Sequence, residues 1–320
     1  MVINLKNIPI VFIIGPPRSG TTLLGWILDL HPRLSTWIEP YYIWDYHFRE
    51  FPHDQMSENE VNDEVRNWIR REFARYAKAL GSDIVVDKSP RNCLKIPFIK
   101  SIFPEAQYIF ILRDGRDSIL SINKLWEKER QLFLKTGIAD RRYLEKLRLL
   151  RLWLSLRPTW HYKLRSVLFE MGSPKYWLKK KTLNQIRWGG RFGWGPRFEG
   201  WQKIIDRTSL LEFNAYQWVN CARGILDNIN SLPKKRSYVI FYEDLIQDPS
   251  NQIKRLFSYL DLETPTRLNE FITGIQANNT KRWLKEFSSE DLKKIGPIIG
   301  KTMIQMKYAE DESWYHGKNI

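Results

Sequence analysis

The sequence predicts an α/β protein: a P-loop-like parallel sheet flanked by helices, with a basic, Trp-rich, mostly helical and loop insertion. Three observations carry that prediction. Short apolar runs alternate with helical stretches, the pattern of βαβ units whose sheet is covered on both faces. A Gly-bounded turn rich in hydroxyls joins the first run to the first helix. Positive charge and tryptophan are concentrated in one stretch that breaks the alternation.

The apolar run Val11-Phe12-Ile13-Ile14 ends in Gly15-Pro16-Pro17 and reads as a buried parallel strand. Ser19 to Leu30 reads as a helix that His31-Pro32 stops. Ser57-Glu58-Asn59-Glu60 has the spacing of a capping box. It is expected to open a helix carrying Val61, Val65, Trp68, Ile69, Tyr76 and Leu80 at helical spacing. Ile84-Val85-Val86, Tyr108 to Leu112 and Tyr238 to Tyr242 supply three further strands, and a Pro249-to-Leu260 helix follows the last. All of this is expected to form a single domain over 1–320, interrupted by an insertion at 126–207.

The formal net charge is +15, and it is uneven: Arg141 to Lys203 holds 16 Lys or Arg against Glu145, Glu170 and Glu199. The same window carries Trp153, Trp160, Trp177, Trp188, Trp194 and Trp201, with Gly189, Gly190, Gly193, Gly195 and Gly200 towards its end. Such a segment suits a lid over an acceptor, peripheral contact with an anionic membrane, or a polyanion, and equally an ordinary solvated lid whose tryptophans pack inward. The remaining chain is close to neutral, so nucleic acid is not expected as a partner. No run approaches the roughly 20 apolar residues of a membrane helix, and the N-terminus lacks the layout of a secretory signal. A cytoplasmic location is the expectation. Cys93 and Cys221 are expected to be reduced, unpaired thiols.

Gly15-Pro16-Pro17-Arg18-Ser19-Gly20-Thr21-Thr22 lies between a predicted strand and a predicted helix. Backbone amides at such a turn converge, and the helix dipole adds partial positive charge, so an oxyanion is the natural ligand. The Gly spacing equals that of G-x4-G-K-[ST], yet Thr21 stands where that motif has Lys. Arg18 is the replacement cation, and no metal is expected.

Pro17-Arg18-Ser19-Gly20-Thr21-Thr22-Leu23 resembles the 5′-phosphosulfate loop of sulfotransferases that use 3′-phosphoadenosine 5′-phosphosulfate (PAPS). The branch is similar to tyrosylprotein sulfotransferases and their bacterial relatives. Further likeness lies at Asp87 to Arg91, Arg113 to Ser121 and Tyr242 to Pro249, with a looser one ending at Tyr308. The resemblance implies PAPS as donor and adenosine 3′,5′-bisphosphate (PAP) as product. It implies that Arg113 and Ser121 hold the 3′-phosphate, for which an Arg fork and a hydroxyl at a strand end are chemically apt. It assigns Glu39 as the base, and Lys88 with Arg18 as the groups that stabilise the bridging oxygen. Trp37, Ile38 and Tyr41 are expected to give Glu39 the apolar surroundings a base near neutral pH needs. His31, His47 and His53 are rivals for that role.

Arg116 is expected to cap a helix through an Arg–Asp pair. Asn279-Thr280-Lys281-Arg282-Trp283 is similar to the loop that closes over the nucleotide in relatives, its cations suited to phosphate and its Trp to base stacking. Tyr242, at a predicted strand end, is a candidate adenine neighbour.

Two departures bear on the acceptor. Tyrosylprotein sulfotransferases carry an Arg two residues past the base, where Tyr41 stands here, and a disulfide whose positions are Trp37 and Asp87 here. Both favour a small-molecule, carbohydrate or lipid acceptor over a protein tyrosine. The acceptor's identity and the oligomeric state are not readable from these residues. A P-loop kinase or NTPase is the enzymatic alternative, disfavoured by Thr21. An anion- or membrane-binding module is the non-enzymatic one.

Overall fold

The computed structural model describes residues 8–48, 51–136, 195–275 and 280–316. Five strands, β1 (Ile10–Ile14), β2 (Leu34–Ile38), β3 (Ile84–Lys88), β4 (Gln107–Leu112) and β5 (Ser237–Phe241), form one sheet in the order β2-β3-β1-β4-β5. Every pairing is parallel. Side chains alternate between two buried faces, as a sheet covered on both sides requires. Phe12, Tyr108, Phe110 and Trp37 face one core, while Val11, Ile13, Val86, Ile109 and Ile111 face the other.

The second face is covered by α1 (Thr21–Leu28) and by residues of the later helices α6 (Tyr242–Gln247) and α7 (Pro249–Tyr259). The first is covered by α2 (Asp63–Leu80), α3 (Ile96–Ile102), α4 (Gly115–Thr136), α5 (Leu210–Ile229) and α8 (Ser289–Gln305). The connections leaving β1 and β4, adjacent strands, run to opposite edges. A crevice opens between the carboxyl ends of strands at such a switch. The N-terminus of α4 sits tightly on α5, because a Cβ on Gly115 would lie 2.6 Å from the Trp218 ring. Among the described residues no helix is long and apolar enough to cross a membrane.

Three expectations need correction. β2 was not among the expected strands. Its Ser35 and Thr36 break the apolar run, but both are buried. The polar groups of Thr36 are satisfied by α1: its hydroxyl donates to Gly25 O (3.0 Å) and its amide to Asp29 Oδ1 (2.6 Å). The Ser57–Glu60 capping box exists, but it closes a single 3-10 turn (Glu58–Glu60). The long helix starts after its own cap, Asn62, whose side chain accepts from Val65 N (2.9 Å). Finally, β5 ends at Phe241, and Tyr242 opens α6. The insertion expected at 126–207 lies outside the described residues over 137–194. Cys93 and Cys221 are free and buried.

What ties the carboxyl side of the sheet together is a buried charge network. Arg91, just beyond β3, donates through Nη1 to Asp45 Oδ2 at 3.0 Å and lies 3.3 Å from Asp54 Oδ1. Its guanidinium also covers the Tyr41 ring, 4.1 Å from the centroid. Asp54 accepts from the Arg197 amide (2.7 Å) and from its Nη2 (3.0 Å). Burial alone would raise the Asp54 carboxyl; Arg91, Arg197 and Lys95 outweigh it and hold the group well below the usual range. Trp201 Nε1 donates to Pro52 O (2.7 Å), laying 197–201 beside 52–55.

A buried charge stripped of its partner is costly. Asp54→Ala should therefore cost about 3–5 kcal/mol in urea unfolding at neutral pH. The exposed pair Arg33–Asp83, whose side chains are 55% and 60% accessible, should cost less than about 1 kcal/mol when Asp83→Asn breaks it. Equal losses at the two sites would contradict this account.

Candidate functional site

The phosphate-type loop leaves β1 and turns into α1. Gly20, at the cap of α1, has φ +99°, and a Cβ there would lie 2.5 Å from the Tyr242 ring. No side chain caps this helix and no acid stands in its first turn, so its amides face the loop. Ser19 Oγ is buried with no hydrogen-bond partner. A buried hydroxyl without a partner beside an uncapped helix start fits an oxyanion seat. Pro17 and Thr21 are buried, Gly20 and Thr22 half-buried, and Arg18 exposed.

Arg18 lies between two of the expected groups. Its Nε donates to Ser121 Oγ (2.9 Å), and its carbonyl accepts from Arg113 Nη1 (2.8 Å). Arg113 leaves the end of β4, and its guanidinium lies 4.4 Å from the centre of the Tyr242 ring. The structure thus joins the loop, Arg113 and Ser121 into one continuous surface. Tyr242, the candidate adenine neighbour, lies with its ring buried beneath Gly20 and Arg113.

Glu39 and Lys88 come together across the sheet. Ile38 pairs with Lys88 in the β2–β3 ladder, and the Glu39 amide extends it by donating to Lys88 O (2.9 Å). Lys88 Nζ then donates to Glu39 Oε1 at 2.8 Å, with the lysine side chain 2% and the glutamate side chain 22% accessible. The expectation of apolar surroundings for Glu39 is corrected here. Its carboxylate meets a cation, while the neighbouring Trp37 indole points to the opposite face and stacks on Tyr76 at 4.0 Å.

Non-glycine residues rarely adopt positive φ, and the strain is stored where function demands it. Among the described residues five do: Arg18 (67°), Glu39 (57°), Asp261 (55°), Lys281 (55°) and Lys307 (62°). Three of the five are residues singled out from sequence, on three separate segments.

The C-terminal loop is described from Thr280; Asn279 lies outside the described residues. Lys281 and Arg282 are exposed and Trp283 is buried. Around the Trp283 ring, expected to suit base stacking, Arg116 sits 3.8 Å from the centre and Trp314 lies 6.3 Å away. Arg116 does make the expected pair, its Nη2 donating to Asp114 Oδ2 at 2.7 Å. The rival histidines are elsewhere. His31 packs on Phe257 (5.7 Å), its imidazole held below its ordinary range by burial and by Arg33. His47 lies 4.0 Å from Glu64, and His53 Nδ1 lies 3.2 Å from Gln55 O.

Two residues escaped the sequence reading. In sequence Asp87 marks only the head of a motif and one disulfide position of tyrosylprotein sulfotransferases, yet it lies on the other face of β3 from Lys88. It accepts from Trp44 Nε1 (2.8 Å) and Asn92 Nδ2 (3.1 Å). Asp117 lies midway between Arg113 and Ser121, a spacing that could have drawn attention to it.

The geometry defines a class: a P-loop-like α/β protein with a candidate anion seat flanked by Arg18, Arg113 and a lysine–glutamate pair. Residues 9–170, just over half of the chain, match the model of the Sulfotransferase family, and the chain belongs to that family. The matched stretch runs into the basic insertion and stops before Tyr242. Protein-tyrosine sulfotransferase A of Caenorhabditis elegans is 33% identical over 135 residues, 37% of this chain and 33% of that protein. Nodulation protein NoeE of Sinorhizobium fredii is 30% identical over 139 residues, 38% of this chain and 33% of that protein. The match thus spans about a third of the length of these curated relatives. In fold, the chain is similar to a sulfotransferase domain from the curacin biosynthetic pathway, with a TM-score of 0.54 at 13% identity, covering 95% of this chain and 99% of that one. Sulfotransferase STF9 of Mycobacterium avium gives 0.51 at 12% identity, covering 93% and 76%.

Burial lifts the Asp87 carboxyl to about 6, against the hydrogen bond from Trp44 and the charges of Lys95 and Lys88. An Asp in the unfolded chain titrates near 4. Between roughly pH 4 and 6 the folded protein therefore binds the extra proton. The stability this group contributes is complete below that window and lost as pH rises through it, by about 3 kcal/mol. Urea unfolding of Asp87→Asn between about pH 4 and pH 7 should lack that slope. A pH profile matching that of the unaltered protein would contradict the assignment.

Proposed function

We propose that this protein transfers a sulfuryl group from PAPS to a hydroxyl or amine of a small-molecule, carbohydrate or lipid acceptor, releasing PAP. The observation that carries the reading is the 2.8 Å contact of Lys88 Nζ with Glu39 Oε1 at the end of the parallel ladder. An in-line group transfer asks a protein to position reactants, accept one proton and neutralise one leaving oxygen. The residues at the carboxyl ends of β1, β2, β3 and β4 supply groups for each task.

In this reading the amides of the Gly15–Thr22 loop, with the hydroxyls of Ser19, Thr21 and Thr22, hold the 5′ end of the donor. Arg113 and Ser121 hold its 3′-phosphate, the group that separates PAPS from ATP. PAPS supplies an activated sulfur whose bond to the 5′-phosphate oxygen breaks as the acceptor oxygen bonds to it. Glu39 takes the acceptor's proton. Lys88 and Arg18 neutralise the departing phosphate oxygen. The lysine is already bonded to the base, so uptake of the proton by Glu39 releases Lys88 towards the oxygen that gains charge. The two are coupled in one step.

Family membership and a P-loop-like fold support this reading, as does Thr21 in place of a loop lysine, which disfavours a nucleoside-triphosphate grip. The relatives' names include protein-tyrosine sulfotransferases. Tyr41, set beneath Arg91 rather than replaced by a free arginine, favours a non-protein acceptor.

Glu39→Gln should lower transfer of labelled sulfate about 10²–10⁴-fold, with PAP affinity within about twofold by calorimetry, since the carboxylate addresses the acceptor and not the donor. In thermal-shift assays PAP should stabilise the protein, by about 2.7 kcal/mol at a hundredfold excess over Kd. Stabilisation by Mg-ATP alone, with no label transferred, would sink the proposal.

A further inference from the structure

Helix α4 begins directly after Arg113 and Asp114, and residues four apart lie on one face of a helix. Asp117 and Ser121 therefore share one face of α4, and Arg113, at the end of β4 and joined to Ser121 through Arg18, continues that stripe, with a buried carboxylate, 2% accessible, between the two groups in sequence. An acid beside an anion seat is unfavourable by charge alone, so its presence there needs a reason.

The reason is geometric. Asp117 Oδ2 accepts from the Lys281 amide at 2.7 Å, and Oδ1 from the Trp283 amide at 3.0 Å. Both oxygens of one side chain thus hold the backbone of a loop 164 and 166 residues away. That loop is otherwise strained, with Lys281 at φ +55°, a conformation side-chain-bearing residues avoid. A second tie from the same helix secures its far end: Lys124 pairs with Glu286, which also accepts from Arg282 Nε and Nη2. The Trp283 ring meanwhile covers Arg116, which is anchored to Asp114 and to Tyr308 O at 2.9 Å. Burial raises the Asp117 carboxyl, opposed by the Trp283 amide.

We infer that Asp117 is a positioning residue for donor binding: it docks the 280–283 loop against the Arg113–Ser121 stripe, so that the loop completes the 3′-phosphate site. Its negative charge is spent on two amides rather than left to repel the ligand. Ordering the loop in advance removes a cost that binding would otherwise carry. The inference rests on the reading of Arg113 and Ser121 as the 3′-phosphate seat. It predicts that the dock serves nucleotides with a 3′-phosphate and is indifferent to those without.

The test compares adenosine 3′,5′-bisphosphate with adenosine 5′-monophosphate by calorimetry on the full chain, on Asp117→Asn and on Asp117→Ala. Asn keeps one acceptor and presents an N–H to the other amide; Ala removes both. The preference for the bisphosphate should fall about tenfold in Asn and further in Ala, with 5′-monophosphate affinity unchanged. KM for PAPS should rise while kcat at saturating donor stays within about twofold. Retention of the full preference in both variants, or equal weakening of both nucleotides, overturns the inference. A full chain that does not distinguish the two nucleotides overturns the seat itself, a separate failure. Should the variants not fold, hydrogen exchange on the unaltered protein decides. Slow exchange at the Lys281 and Trp283 amides without nucleotide, slower still with the bisphosphate, supports the dock, and free exchange without nucleotide overturns it.

Discussion

The parallel register of β2, β3 and β1 is the constraint on which the site depends. It sets Ile38 level with Lys88, and Ile13 level with Lys88 on the other side. The residue after Ile38 is then delivered beside the lysine, and the loop after Ile14 opens next to both. A slip of one residue in a ladder with a two-residue side-chain period would turn Lys88 to the face now held by Asp87. Lys88 and Asp87 are adjacent in sequence and chemically opposite. The strand separates them completely, one towards the candidate site and the other into a buried set of hydrogen bonds with Trp44 and Asn92.

Cations at this edge are each held by a defined partner, an aromatic face, a carbonyl or a carboxylate. Arg113 lies on the Tyr242 ring and donates to a loop carbonyl. Arg116 lies between Asp114 and Trp283. Arg91 and Arg197 are matched to Asp45 and Asp54 below the surface. The carboxylates near the seat have their own donors: Asp117 takes two backbone amides, and Glu243 accepts from the Asp114 amide (3.1 Å) and the Tyr308 hydroxyl (2.9 Å). Positive charge is thereby arranged on the crevice side and negative charge is consumed internally. Under the proposed function this pairing would supply electrostatic preorganisation.

Much of this was legible from the chain alone, and the failures have physical causes. Three strands were readable because parallel strands buried on both faces are continuous apolar runs, and the edge strand β5, though partly exposed, keeps the same apolar run. β2 was not, because Ser35 and Thr36 interrupt its apolar run, and the groups of Thr36 are satisfied by α1, a contact that appears only once the helix is packed. The capping box at Ser57 was real but capped a 3-10 turn, since local hydrogen bonds do not say how far a helix continues. Tyr242 and Trp283 carry the right residue types for a nucleotide site, and both rings are buried against an arginine. An aromatic side chain has the same appearance in sequence whether it faces ligand or core.

The linear order of residues already settled the things that depend on near neighbours: the strand–loop–helix with its Gly spacing, the loop arginine in place of lysine, the Arg–Ser spacing after the third expected strand, and the family these resemble. Packing alone decided the rest. Glu39 meets Lys88 across 49 residues, Arg18 meets Ser121 across 103, and Asp117 meets Lys281 across 164. Pairings of that separation are set by strand order and helix docking, which arise from burial summed over the whole core and leave no periodic trace in the local pattern.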